Sequence, residues 1–271
     1  MNKGLIFIIF LSFSFVFSCE YSKVKEEILP EVMAVFPSSD TLPENLLRMY
    51  VHFSKPMKTL GNLENIKLIN EQGQEVPGAI FNNVYELWDK EQKGLTLIFD
   101  PSRVKTGLIA HEERGRALQA GKKYKLFIGR LEDVEGKRLK EVYTKSFYIT
   151  EEDRLPPNTA QWTIKAPKAK SQSPLIVQFP EMLDRLSLLQ RLQVTDTNKQ
   201  AIQGEVSITN QEREWRFVPT KKWSKGEHIL YVHGRLEDPC GNNLNGLFDH
   251  KIGGLKNERE GELESIRFKI Q

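Results

Sequence analysis

The sequence is poor in the residues that carry covalent and metal chemistry. Two cysteines in 271 residues exclude a disulfide-stapled scaffold and a cysteine-rich zinc site. The five histidines, His52, His111, His228, His233 and His250, are scattered; none is spaced as a helical zinc pair. No Gly-x-Ser-x-Gly elbow, phosphate loop or dinucleotide fingerprint occurs, so the common signatures of hydrolases, nucleotide enzymes and dehydrogenases are missing. Charge of one sign is also scarce. The formal net charge is +3, with acids and bases interspersed, which argues against an extended nucleic-acid surface. Long helical stripes are absent; only Leu183 to Leu192 reads as a short helix.

What is abundant is alternation. Met49, Val51 and Phe53 alternate with Arg48, Tyr50 and His52, and Leu95, Leu97 and Phe99 with Thr96 and Ile98. Tyr124, Leu126 and Ile128, then Leu175 and Val177, then Ile266, Phe268 and Ile270 repeat the pattern. A period of two places one face of a strand on a core. Val76 to Phe81 reads as a further strand, answering Ile66 and Leu68 across the Asn70–Gly73 turn. Many short strands with regular turns predict an all-β protein of sandwiches.

A repeat sets the number of sandwiches. Gly121 leads a strand into Gly129-Arg-Leu-Glu-Asp133 and on to Gly136; Gly226 leads another into Gly234-Arg-Leu-Glu-Asp238 and on to Gly241. Two modules follow, 32–152 and 159–271, joined through Arg154-Leu-Pro-Pro-Asn158, whose prolines favour a semi-rigid link. Residues 1–18 read as a signal peptide, because the apolar run Leu5 to Phe17 is shorter than the ~20 residues of a membrane span. Residues 19–31 read as a polar tether.

Two resemblances are carried by these residues. Val16-Phe-Ser-Cys19 resembles the bacterial lipobox, with a bulkier Phe17 than usual. It implies diacylation of Cys19, whereas ordinary cleavage nearby would leave a free thiol. Pro37-Ser-Ser-Asp40, Phe53-Ser-Lys-Pro-Met57, Gly121-Lys-Lys-Tyr124 and Asp133-Val-Glu-Gly136 resemble the bacterial Ig-like domain of the surface-layer-protein type. The second module departs from that pattern, with Phe179-Pro-Glu-Met182 lacking the Ser and the Pro of Phe-Ser-x-Pro-Met. The resemblances imply tandem Ig-like β-sandwiches after a lipoprotein signal, in the cell envelope, held at the outer membrane of a Gram-negative bacterium. Implied partners are the membrane, through the lipid, and an envelope protein or glycan, with no nucleic acid and no cofactor. They imply no activity, and the expected role is non-catalytic binding, adhesion or spacing.

Candidate sites are few. The first module carries extra sequence between Asp100 and Gly121, in which His111, Glu112, Glu113 and Arg114 adjoin. They would form a partner-binding loop or a weak metal site, or else a solvated insertion whose charges pair among themselves. Glu132, Asp133 and Glu135 could offer oxygens to Ca²⁺, but the second copy has Cys240 in place of Glu135, and an Asp-led turn is the better reading of Asp133 and Asp238. Of the tryptophans, Trp162 and Trp215 fall in core strands, whereas Trp88 and Trp223 adjoin charges and could stack on a glycan. Cys240 reads as a small turn residue, without a disulfide partner if Cys19 is acylated.

Overall fold

A computed structural model describes residues 28–82, 85–249 and 262–271. The signal peptide, Cys19, most of the tether and His250 lie outside the described residues.

The first module contains β1 (Val32–Phe36), β2 (Thr41–Pro43), β3 (Arg48–Phe53), β4 (Ile66–Asn70), β5 (Leu87–Trp88) and β6 (Gly94–Ile98). Two short helices follow, α1 (Pro101–Val104) and α2 (Ile109–Arg114), then β7 (Lys123–Ile128) and β8 (Tyr143–Thr150). One sheet has the order β1-β3-β6-β5 and the other β2-β8-β7-β4. All pairs are antiparallel except β2 with β8. Met49, Val51, Phe53, Leu95, Leu97, Leu126 and Ile128 fill the space between the sheets, each burial contributing about 1.5–3 kcal/mol.

The second module contains β9 (Thr163–Lys165), β10 (Leu175–Gln178), α3 (Arg185–Gln190), β11 (Leu192–Thr195), β12 (Gly204–Thr209), β13 (Glu214–Pro219), β14 (Gly226–His233) and β15 (Leu263–Ile270). Its sheets are β12-β13-β10-β9 and β11-β14-β15. Leu175, Val177, Trp215, Phe217, Leu230 and Val232 make its core, with Trp162 beside them. The chain is thus two tandem Ig-like β-sandwiches. The short helix foreseen near Leu183 is α3, started by the Asp184 carboxylate, which accepts the Ser187 N–H and satisfies an otherwise orphaned donor.

One sequence expectation is corrected, and the repeat shows an offset. Val76 to Phe81 is not a strand. Pro77 has no N–H to donate and Gly78 takes φ +61°, so the segment forms no continuous ladder and pairs with strands only at isolated bridges, Ile69 with Glu75 and Ile80 with Phe99. The repeated strands are also out of phase by one residue. Tyr124, Leu126 and Ile128 are buried in the first copy, and His228, Leu230 and Val232 in the second. Tyr124 stands three residues after Gly121, but His228 only two after Gly226. The difference is absorbed between strand and turn: Ile128 pairs with Ile66 and Val232 with Leu192, leaving a longer passage to Leu236 than to Leu131.

Candidate functional site at the module junction

The Gly-Arg-Leu-Glu-Asp segment folds into the same turn twice. The Asp133 carboxylate accepts the N–H groups of Glu135 and Lys137 at 3.0 and 2.9 Å. The Asp238 carboxylate accepts those of Cys240 and Asn242 at 2.7 and 3.0 Å. Gly136 and Gly241 then take φ +82° and +81°, a backbone that L side chains adopt at a cost. This is the Asp-led turn, and in each copy a single carboxylate oxygen accepts both N–H groups. Lysines occupy the neighbouring space: Lys55 approaches Asp133, Lys58 pairs with Glu132, and Lys137 with Glu135. Among the described residues, no group of three His, Cys, Asp or Glu side chains is placed to hold a metal.

The two turns differ in what surrounds them. The first lies at the end of its module remote from the second module. The second is wedged between the modules. The Leu47 N–H donates to the Pro239 carbonyl at 2.9 Å. The Cys240 thiol donates to Asn45 Oδ1 at 3.2 Å. The side-chain amides of Asn45 and Asn242 both donate to the Asp153 carbonyl, at 2.8 and 3.1 Å. Asp238, Cys240 and Asn242 are consequently all buried. Cys240 is therefore a component of the junction and more than a small turn residue.

Elements on either side extend the contact. Arg48 pairs with Glu237 at 2.9 Å. The Tyr50 hydroxyl donates to the Asp184 carboxylate, and the Arg185 guanidinium lies 3.8 Å above the Phe36 ring. The β12–β13 hairpin inserts Glu212, whose carboxylate accepts the Ser38 N–H at 2.8 Å. Asn210, Gln211 and Glu212 all take positive φ to make that approach. Met182 joins the core of the first module. It descends from the Phe179-Pro-Glu-Met segment, so the departure from the first module's pattern coincides with a change of role. The Pro-Pro link is thus accompanied by a broad polar and apolar contact.

Burial governs the acids of the junction. It pushes the Asp238 carboxyl up to about 8, with Asp153 adding to the effect and the Asn242 hydrogen bonds opposing it. Burial, with Asp153 again, raises Glu181 to about 7. The Cys240 thiol is raised well above its usual value by the same desolvation, the opposite of what an activated nucleophile needs. Beside the turn lies a cleft of about 510 Å³, lined by Glu151, Glu152, Asp153 and Glu181 with Met182 and Arg213.

The residues singled out in sequence do not converge. On α2, His111 turns inward, its Nδ1 2.7 Å from the Arg103 carbonyl. Glu112 and Glu113 face solvent, and Arg114 reaches back to Asp100 at 3.7 Å. The insertion is held by Arg103, whose buried guanidinium donates to the carbonyls of Gly115, Pro77 and Gly78. Beyond α2, Arg116 bridges Glu44 and Glu152. Trp88 is half-buried against Phe53, and its indole N–H donates to Glu86 at 2.9 Å. Trp223 is only 2% exposed. Its N–H donates to the Ser173 carbonyl, and its ring meets Phe217 and His228 edge-on. A sugar needs an open ring face, so stacking on Trp223 is corrected to a core role; lysines next to it in sequence hid its burial.

No family model matches the chain, and no curated protein matches it. Among solved structures, the S-layer protein rSbsC is similar at 16% identity and a TM-score of 0.32, over 76% of this chain and 23% of that one. The chain therefore spans less than a quarter of that protein's length. The N-terminal Ig1-2 module of the Drosophila receptor protein tyrosine phosphatase DLAR is similar at 10% identity and a TM-score of 0.27, over 90% of this chain and all of that one. The titin Z1Z2 chimera functionalized with a decorin peptide is similar at 10% identity and a TM-score of 0.26, over 90% and 97% of the two chains. With scores of this size, the sandwich assignment rests on the sheets themselves.

Proposed function

We propose that the chain is a two-module spacer of the cell envelope, which binds a partner rather than transforming it. The observation that carries this reading is the second repeat turn wedged against Asn45, Leu47 and Asp153. It would add a direct hold between two sandwiches whose link is already semi-rigid. Side chains of the usual catalytic types are engaged in holding the fold: Asp133, Asp238, His111 and Cys240 each bond to backbone groups or to junction partners. Acyl chains on Cys19 would fix the base of the spacer, since two chains give a hold that a single chain does not. Intact-mass measurement of the protein from its own cells tests the anchor. A diacyl adduct on a chain beginning at Cys19 is expected, and Met1 retained with no adduct would refute it.

A further inference from the structure

We propose that the end of the second module remote from the first is a docking site for an acidic polysaccharide chain. Strand direction defines that end. β14 finishes at His233, just before the junction turn, and starts at Gly226, opposite Ile270. β13 starts after the junction hairpin and finishes at Pro219. Two stretches without a single acid, 162–179 and 215–226, therefore bring their loops to the same end. Backbone hydrogen bonds join them: Lys170 N–H to the Trp223 carbonyl at 2.8 Å, and Trp223 N–H to the Ser171 carbonyl at 2.9 Å.

The loops carry Lys168, Lys170, Lys221, Lys222 and Lys225, all exposed. Among the described residues, none of the five loop lysines pairs with a carboxylate; Lys122, Lys123 and Lys125 of the first module do not either, but no groove adjoins them, and Lys55, Lys58, Lys67, Lys137, Lys140 and Lys145 each face an acid. A cluster of one sign around a concave surface concentrates counter-ions of the other sign. The concavity is a groove of about 520 Å³, with Lys221 and Lys222 on its wall and Ala201, Ile202 and Trp223 among its apolar lining. Asp196 also lines it, but its carboxylate accepts the N–H groups of Asn198 and Gln200 in its own turn.

The shape favours a polymer strand over a lipid surface. Membrane-seated proteins present protruding apolar side chains. Here the groove's large apolar side chains, Ile202 and Trp223, are partly or fully buried, and Val218, an exposed large hydrophobic residue on β13, is not part of its lining. A polysaccharide with carboxylates or phosphates along its length would meet several lysines while its ring carbons met Ala201 and Ile202 above the buried Trp223. The inference draws on the spacer reading only for where this end points; the binding itself needs no anchor.

The test is retention of the full chain, kept in nonionic detergent, on immobilised polygalacturonate and on neutral dextran. Retention on polygalacturonate alone is expected, weakened about tenfold between roughly 0.1 and 0.5 M salt by screening. K168E/K221E/K222E should abolish it. K122E/K123E/K125E, an equal charge change on and beside β7, should leave it within about twofold, because the groove charges are untouched. Melting midpoints report that both variants fold; if the first does not, K168Q/K221Q/K222Q replaces it. Equal loss in the two triple variants, equal retention on dextran, no retention at all, or binding only to phosphatidylglycerol vesicles would each overturn the proposal. Such a failure alongside a diacyl adduct on Cys19 would remove the ligand and leave the spacer reading standing.

Discussion

The repeat supplies its own control for the junction. Gly136 and Gly241 occupy the same turn position with nearly the same φ, +82° and +81°. Alanine at either place incurs the left-handed backbone penalty of about 1–2 kcal/mol. Only the surroundings differ. A Cβ at Gly136 would meet nothing closer than the flexible tip of Lys58, at 3.9 Å. A Cβ at Gly241 would lie 2.8 Å from Leu47 Cδ2 and 3.2 Å from the Phe248 ring, adding about 1–3 kcal/mol of overpacking. G136A should therefore cost about 1–2 kcal/mol, and G241A about 2–5 kcal/mol. Urea unfolding followed by tryptophan fluorescence and by far-ultraviolet circular dichroism separates the cases. G136A should shift one coincident transition. G241A should pull the two probes apart, because Trp162, Trp215 and Trp223 report mainly on the second module. Equal losses, with probes coincident in both variants, would show that the tight contact of Gly241 with Leu47 and Phe248 adds nothing to stability, and probes separated already in the unmutated protein would show that the junction does not couple the modules.

Three further outcomes follow from the same contacts. Asp238 and Glu181 have folded-state pKa values raised above their unfolded ones, to about 8 and about 7. The folded protein therefore holds more protons between about pH 4 and pH 8, and stability falls as pH rises through that window; D238N should flatten most of the fall in thermal scans at pH 5 and pH 8.5. Y50F removes the donor to buried Asp184 and should cost about 1–3 kcal/mol in equilibrium unfolding, whereas Y148F, on an exposed strand face, should cost less than about 0.5 kcal/mol. W223A should cost about 3–5 kcal/mol by opening a cavity. If it instead left the melting midpoint unchanged, the core placement of that ring would be wrong.

Much of the fold was legible because its signal is local. A side chain at every second position in β3, β6 and β10 is either apolar or not, and the sheets bury them accordingly. The Asp-led turn was legible for the same reason, since Asp133 and Asp238 bond groups only two to four residues away. Trp162 and Trp215 sit in the core that their alternation implied. The candidate sites were less legible. Trp223 lies between Lys222 and Ser224, which reads as surface, yet backbone contacts with Ser171 and Ser173 fold it inward. His111 to Arg114 adjoin in sequence, but a helical turn sends adjacent side chains in different directions, so adjacency built no site.

Tyr50 marks the boundary between the two kinds of knowledge. Alternation assigns it to the solvent face of β3, yet it is 4% exposed, because Asp184 from the other module covers it. The chain by itself determined two sandwiches and one turn made twice, since these follow from dihedral preferences and from bonds between near neighbours. Tertiary structure decided which copy of that turn became the wedge, why Cys240 and Asn242 are buried, and how lysines dispersed in an almost balanced sequence gather at one end. Those outcomes depend on groups separated by up to about two hundred residues, and pairings across such distances leave no periodic trace in a linear text.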